Sequence, residues 1–125
     1  MEKQSIAIIG LGRIGAAFLS EVIKRSKGTV SLDYASEKLD TPGKAQAVAA
    51  GVKVVTLDEI VYLGKKIDVV FDLTGSPSVR KELREKMAAT GNQHTVIASE
   101  TIVRIIWSLI STEALPVIEG RKTGY

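Results

Sequence analysis

At 125 residues, 25 % of them charged and 45 % hydrophobic, the chain has the size and balance of one soluble globular domain. A formal net charge of +3, with no basic stripe and few, scattered aromatics, argues against a nucleic-acid-binding surface. The absence of cysteine removes disulfides, thiolate metal sites and a cysteine nucleophile, and no metal site is expected. No apolar run approaches the roughly 20 residues of a membrane span, and the first five residues lead straight into a predicted strand. No leader and no membrane insertion are therefore expected, and a cytoplasmic location is.

The first predicted strand is Ser5–Ile9. Gly10-Leu11-Gly12-Arg13-Ile14-Gly15 follows and opens a helix over Arg13–Ser26, in which Ile14, Ala17, Phe18 and Val22 recur at helical spacing. Gly28 is its stop signal. The second strand is Thr29–Asp33. A polar loop, Ala35–Thr41, leads to Pro42 and an alanine-rich helix, Lys44–Ala50, ended by Gly51. The third strand is Val52–Val55. Thr56 and Glu59 make a capping-box pattern for a short helix ending near Gly64. Strand four, Asp68–Leu73, is an almost continuous apolar run, as expected of a strand covered on both faces. After the loop Thr74-Gly75-Ser76-Pro77, a helix covers Ser78–Thr90 and stops at Gly91. Its interleaved charges from Arg80 to Lys86 mark a solvated face. Strand five is His94–Ala98, and Ser99 caps a last helix, Glu100–Ser111.

Strands alternate with helices throughout, which predicts an α/β, doubly wound parallel sheet with strand order near 3-2-1-4-5. The expected domain is 1–112, followed by a tail over 113–125.

The glycine motif stands strand-turn-helix-strand-acid, the context that a dinucleotide-binding fingerprint requires. Gly10 permits the sharp turn, Gly12 admits a pyrophosphate to the backbone, and Gly15 lets the helix pack closely. The first helical turn, at Arg13 and Ile14, offers free N–H groups and the positive end of the helix dipole. Asp33, eighteen residues past Gly15, is the expected partner of the adenosine ribose hydroxyls. A 2′-phosphate there would meet a carboxylate, so NAD is favoured over NADP. Tyr34 is a candidate to flank the adenine. Ligands bind beyond the carboxyl ends of the strands, where strand order reverses. Thr74, Gly75 and Ser76 should therefore face the nicotinamide half, although Ser76 or Ser78 also reads as a helix cap. Asp72 reads as a buried strand residue that needs partners, and His94 as a surface residue at the opposite end of the sheet.

These blocks resemble the N-terminal cofactor domain of the glucose-fructose oxidoreductase / inositol dehydrogenase family, with a similar look in homoserine and aspartate dehydrogenases. The resemblance rests on Ile8–Gly15, Ala45–Val54 and Ile67–Pro77. It implies a nicotinamide cofactor and a Rossmann fold. Those enzymes carry a second, substrate-binding domain, and that family places a Glu-Lys-Pro motif after strand five. Here Ser99-Glu100-Thr101-Ile102 matches the glutamate and lacks the lysine. The expectation is therefore an NAD(H)-binding module of regulatory, sensing or partner-dependent function, with catalytic residues unknown. Alternatives are a small oxidoreductase completed by another subunit, and a regulatory nucleotide domain of the potassium-channel type.

In the last helix, polar residues at 100, 104, 108 and 111 form one narrow stripe, and the remaining surface, including Trp107, is apolar. This predicts a homodimer or a partner protein docked on the 100–112 helix. The competing expectation is that Leu115, Val117 and Ile118 fold back over it.

Overall fold

The computed structural model describes residues 3–26, 28–111 and 114–116. Five strands, β1 (Gln4–Ile9), β2 (Val30–Ser36), β3 (Lys53–Val54), β4 (Val69–Asp72) and β5 (Val96–Ser99), form one sheet in the order β3-β2-β1-β4-β5. All pairs are parallel. The helices are α1 (Arg13–Arg25), α2 (Pro42–Ala49), α3 (Leu57–Leu63), α4 (Pro77–Ala89) and α5 (Glu100–Ile110). A single 3-10 turn, Gly64–Lys66, links α3 to β4. This is a Rossmann-like fold.

Each face of the sheet carries its own apolar layer. On one, Ile6 and Ile8 of β1, Phe18 and Leu19 of α1, Ala47 of α2 and Trp107 of α5 pack together. Phe18 and Phe71 meet edge to face, with centroids 4.9 Å apart. On the other, Ala7 and Ile9 face Ile60 of α3 and Leu83 and Met87 of α4. Alternation along β1 is thus hydrophobic on both sides, and β1 is the centre of the core.

The largest departure from the sequence reading is β2, which does not close at Asp33. The register slips between Ile6, paired with Leu32, and Ala7, paired with Tyr34. Asp33 is the extra residue of this bulge, exposed and accepting a hydrogen bond from Ser31 Oγ at 2.7 Å. A polar residue that reads as a strand end is a local kink, and the strand resumes through buried Ala35 and Ser36.

Trp107 also departs from expectation. It is only 8 % exposed and belongs to the core, and Leu115 joins it there. The expected polar stripe is partly interior: Glu100 is 2 % exposed and pairs with Arg104 at 3.3 Å. Arg104 also donates to the Pro116 carbonyl at 2.8 Å, which holds the described part of the tail against α5. Val117 and Ile118 lie outside the described residues. The outward face of α5 is instead Ile102, Ile105 and Leu109.

At the amino end of the sheet, Asp68 ties three elements together. Its carboxylate accepts the Ser5 N–H at 2.7 Å, and its other oxygen is 2.6 Å from His94 Nε2. The Ser5 N–H, and after it His94, hold the Asp68 carboxyl below its ordinary value of 3.8. A carboxylate whose folded value is depressed contributes stability above its unfolded value and loses it as pH falls through the folded one. Asp68→Asn should therefore melt lower than the parent at neutral pH, and the gap should close as pH drops below 3.8. Melting curves from pH 7 to pH 2.5 test this; a constant gap would refute the linkage.

Candidate functional site

The strand order reverses between β1 and β4, so the loops after these strands share one edge of the sheet. They are in direct contact. Leu73 N–H donates to the Ile9 carbonyl at 2.7 Å. Gly10 has a φ of +96°, and a Cβ there would stand 2.8 Å from the Leu73 carbonyl carbon and the Thr74 nitrogen. Gly15, one helical turn on, sits against the Gly10 carbonyl with no room for a side chain. Gly12 faces open space. The three glycines thus fulfil different requirements: turn and loop contact, open approach, and helix docking.

The amino end of α1 is chemically distinct. Thr41, Thr56 and Ser76 cap α2, α3 and α4 through their side chains, and α5 has Glu100 in its first turn. Among the five described helices, only α1 has neither a capping side chain nor an acid in its first turn. Its cap is Gly12, its first residue is exposed Arg13, and Ile14 is wholly buried, anchoring the turn from below. Uncapped N–H groups with a positive dipole end and a cation beside them suit an anion.

A cleft of about 310 Å³ opens beside Gly10, bounded by the Ser36–Leu39 turn, Thr74, and Leu57, Val79 and Glu82 from α3 and α4. That volume is at the small end of ligand sites. Glu37 is the acid at the end of β2. Its Oε1 accepts the Leu11 N–H at 2.7 Å and its Oε2 accepts the Leu39 N–H at 3.1 Å. Asp33 and Tyr34 do not reach this cleft. They lie three and two residues before the end of β2, Asp33 about 10 Å below it at the rise of a strand. Tyr34 packs instead against the α3–α4 layer. The sequence reading takes Asp33 as the acid that closes β2; the strand runs on through Tyr34 and Ala35 to Ser36, so the acid beside its end is Glu37, and the signal for this is Tyr34-Ala35, two residues that continue the strand pattern.

At the end of β4, Asp72 is 5 % exposed and accepts both the Thr74 N–H, at 3.1 Å, and the Thr74 hydroxyl, at 2.7 Å. Thr74 Oγ1 in turn accepts the Ser76 N–H, and Ser76 Oγ accepts the Val79 N–H at 3.3 Å as the cap of α4. Gly75 bends the loop with a φ of +65°. Both hydroxyls are therefore committed to holding the loop, and Thr74 reaches the cleft as part of its wall. His94 is at the far end of the sheet, on Asp68.

A second support lies under the glycine loop. Thr41 Oγ1 donates to the Leu11 carbonyl at 2.8 Å. Gly43, in the first turn of α2, lies so close to that carbonyl that a Cβ would overlap it, and the same Cβ would be 2.9 Å from Ala16 Cβ.

No protein-family model matches the chain. It is 33 % identical over 114 residues to the UDP-N-acetylglucosamine–N-acetylmuramyl-(pentapeptide) pyrophosphoryl-undecaprenol N-acetylglucosamine transferase of Moorella thermoacetica, a match spanning 88 % of this chain and 30 % of that protein. Among solved structures, a Sinorhizobium meliloti protein assigned as a myo-inositol dehydrogenase superposes with a TM-score of 0.59 and 25 % identity, over 76 % of this chain and 27 % of that one. The scyllo-inositol dehydrogenase of Lactobacillus casei, solved with NAD(H) and scyllo-inositol, gives 0.55 and 24 %, over 77 % and 28 %. The homoserine dehydrogenase of Thiobacillus denitrificans gives 0.54 and 21 %, over 86 % and 26 %. The resemblance to inositol and homoserine dehydrogenases seen in the motifs thus extends to the fold. The chain spans about three tenths of the length of these proteins.

Gly43→Ala should push the Leu11 carbonyl away and cost about 1–3 kcal/mol, as overpacking does. Gly12→Ala, with open space around it, should cost no more than about 1 kcal/mol, the difference between the two residues at a helix cap. Urea denaturation of the two variants checks the contrast, and equal losses would refute it.

Proposed function

We propose that the chain binds a nicotinamide adenine dinucleotide along the carboxyl edge of the sheet, NAD(H) in preference to NADP(H). The observation that carries this reading is the pairing of an uncapped α1 with a carboxylate, Glu37, hydrogen-bonded to the same glycine loop. The pyrophosphate rests on Gly12 and the N–H groups of Arg13, Ile14 and Gly15, with the Arg13 guanidinium as counter-charge. Glu37 takes the adenosine ribose hydroxyls, the role that the sequence suggested for Asp33. Its two backbone donors fix the carboxylate and leave acceptor sites for the hydroxyls. The Thr74-Gly75-Ser76 loop faces the nicotinamide half. The NAD(H) bound by the Lactobacillus casei neighbour supports the cofactor class.

Binding without turnover is the favoured form of this function, as a regulatory, sensing or partner-dependent module. Glu100, the residue matching the oxidoreductase motif, is buried and paired with Arg104, and the Thr74 and Ser76 hydroxyls are engaged in the loop. A second reading follows from the Moorella thermoacetica relative: the same cleft would hold a nucleoside diphosphate sugar.

Thermal unfolding with NAD, NADH, NADP, ATP and UDP-N-acetylglucosamine in parallel separates these. A ligand at 100 times its dissociation constant adds about 2.7 kcal/mol, on the order of 10 °C in this size range. We expect shifts with NAD and NADH, a smaller one with NADP, and none with the sugar nucleotide; the converse favours the second reading. Glu37→Ala should weaken NAD binding about tenfold or more and reduce the preference over NADP, whereas Asp33→Ala should leave both unchanged. A loss of NAD affinity in Asp33→Ala alone would return the ribose role to Asp33.

We also propose that the protein forms a homodimer in the cytoplasm through the outer stripe of α5. Ile102, Ile105 and Leu109 are 44 %, 54 % and 80 % exposed, one apolar line opposite the buried Trp107 side. Leu109→Glu should convert the dimer to a monomer in sedimentation without lowering monomer stability. A parent that sediments as a monomer would refute the dimer.

A further inference from the structure

Around the cleft, Gly10 makes the turn, Ser36 and Glu37 hold the glycine loop, and Thr74 closes the β4 side. Glu82 borders the same space, and among the described residues its carboxylate is engaged through one oxygen only. It lies on the second turn of α4, across from the Ser36–Leu39 turn. Leu39 of that turn, Leu57 and Val79 line the same cleft and give it an apolar wall against which a flat ring could lie. Leu39 is 70 % exposed and lines this cleft.

The Glu82 carboxylate is held in place. Lys86 Nζ donates to its Oε2 at 2.9 Å and also bonds Asp58 of α3, bracing the two helices. These two carboxylates raise the Lys86 pKa, which keeps the brace cationic. Glu82 Oε1 accepts no hydrogen bond among the described residues. An ionised carboxylate is an acceptor only. In a cleft with an apolar wall it selects for a ring with a donor on its edge.

We propose that Glu82 is a specificity-determining residue that reads the 6-amino group of adenine; this rests on the dinucleotide reading of the cleft. The adenine lies against the Leu39–Leu57–Val79 wall and its exocyclic amine donates to Glu82. Bases with a 6-carbonyl turn an acceptor toward the carboxylate and are repelled.

The test compares NAD with its analogue carrying unsubstituted purine in place of adenine, an analogue that lacks only the amine. Affinities are measured by calorimetry for the parent, Glu82→Ala and Glu82→Gln. The parent should favour NAD about tenfold, the worth of one charge-assisted hydrogen bond at a partly exposed site. Glu82→Ala should bring the ratio to about one, while Glu82→Gln, which keeps a carbonyl acceptor, should retain part of it. Taking the ratio cancels any change in packing against that wall, and the helix-surface position of residue 82 makes folding of both variants expected. If the parent binds both dinucleotides equally, or if Glu82→Ala keeps the parent's ratio, the role of Glu82 is overturned while dinucleotide binding stands. If the parent binds neither, the reading of the cleft itself falls, and this assignment with it.

Discussion

The contact on which the site depends is the one between the Gly10 carbonyl and Gly15. It closes the β1–α1 turn so tightly that Gly15 has no room for a side chain, and Gly10 itself, at a φ of +96°, has none beside Leu73 and Thr74. The consequences spread outward. With α1 so placed, Leu11 is buried and its two backbone groups point to opposite supports: its N–H to Glu37 and its carbonyl to Thr41. The turn is therefore clamped by the ends of β2 and α2 as well as by Leu73 and Thr74. A loop held on several sides presents its N–H groups without further ordering, and an anion that binds there meets a prepared site.

The bulge at Asp33 is a smaller feature with a large effect. One extra residue in β2 restores the inward face of the strand after a polar position and carries the chain to Ser36. Ser36 then accepts the Gly10 N–H at 2.8 Å, and Glu37 arrives beside Leu11. Without the bulge, the alternation of faces would be inverted beyond residue 33 and buried Ala35 would change sides. The position of the acid is thus set by strand register and not by its distance in sequence from the glycines.

This explains what the sequence disclosed and what it withheld. Strand order, helix order and the glycine turn were legible because each rests on a local pattern: β1 and β4 as apolar runs, Thr56 with Glu59 as a capping box, Gly10–Gly15 as a strand-to-helix turn. Element ends were less legible where a polar residue interrupts a strand, as at Asp33, or where a helix starts at its proline, as α2 does at Pro42. The inward burial of Trp107 was hidden because α5 is apolar on two faces, and periodicity alone does not say which meets the sheet. Gly43 was invisible, since its tight fit is against Leu11 and Ala16, distant in the chain.

The charges around the cleft argue in one direction. Arg13 and the helix dipole lie at the glycine loop, where a pyrophosphate would sit, while Glu37 and Glu82 border the adjoining cleft. A ligand matching this pattern is anionic in its middle and rich in hydrogen-bond donors at one end. An adenosine would supply the donors, with ribose hydroxyls for one carboxylate and an amine for the other, and a pyrophosphate the charge. A 2′-phosphate would bring a dianion beside Glu37, with exposed Lys38 the only cation among the described residues that line the cleft. The carboxylates of the cleft thus stand apart from the positive end of α1, and a dinucleotide bound as proposed would lie with its adenosine toward β2 and α4 and its nicotinamide toward β4 and β5.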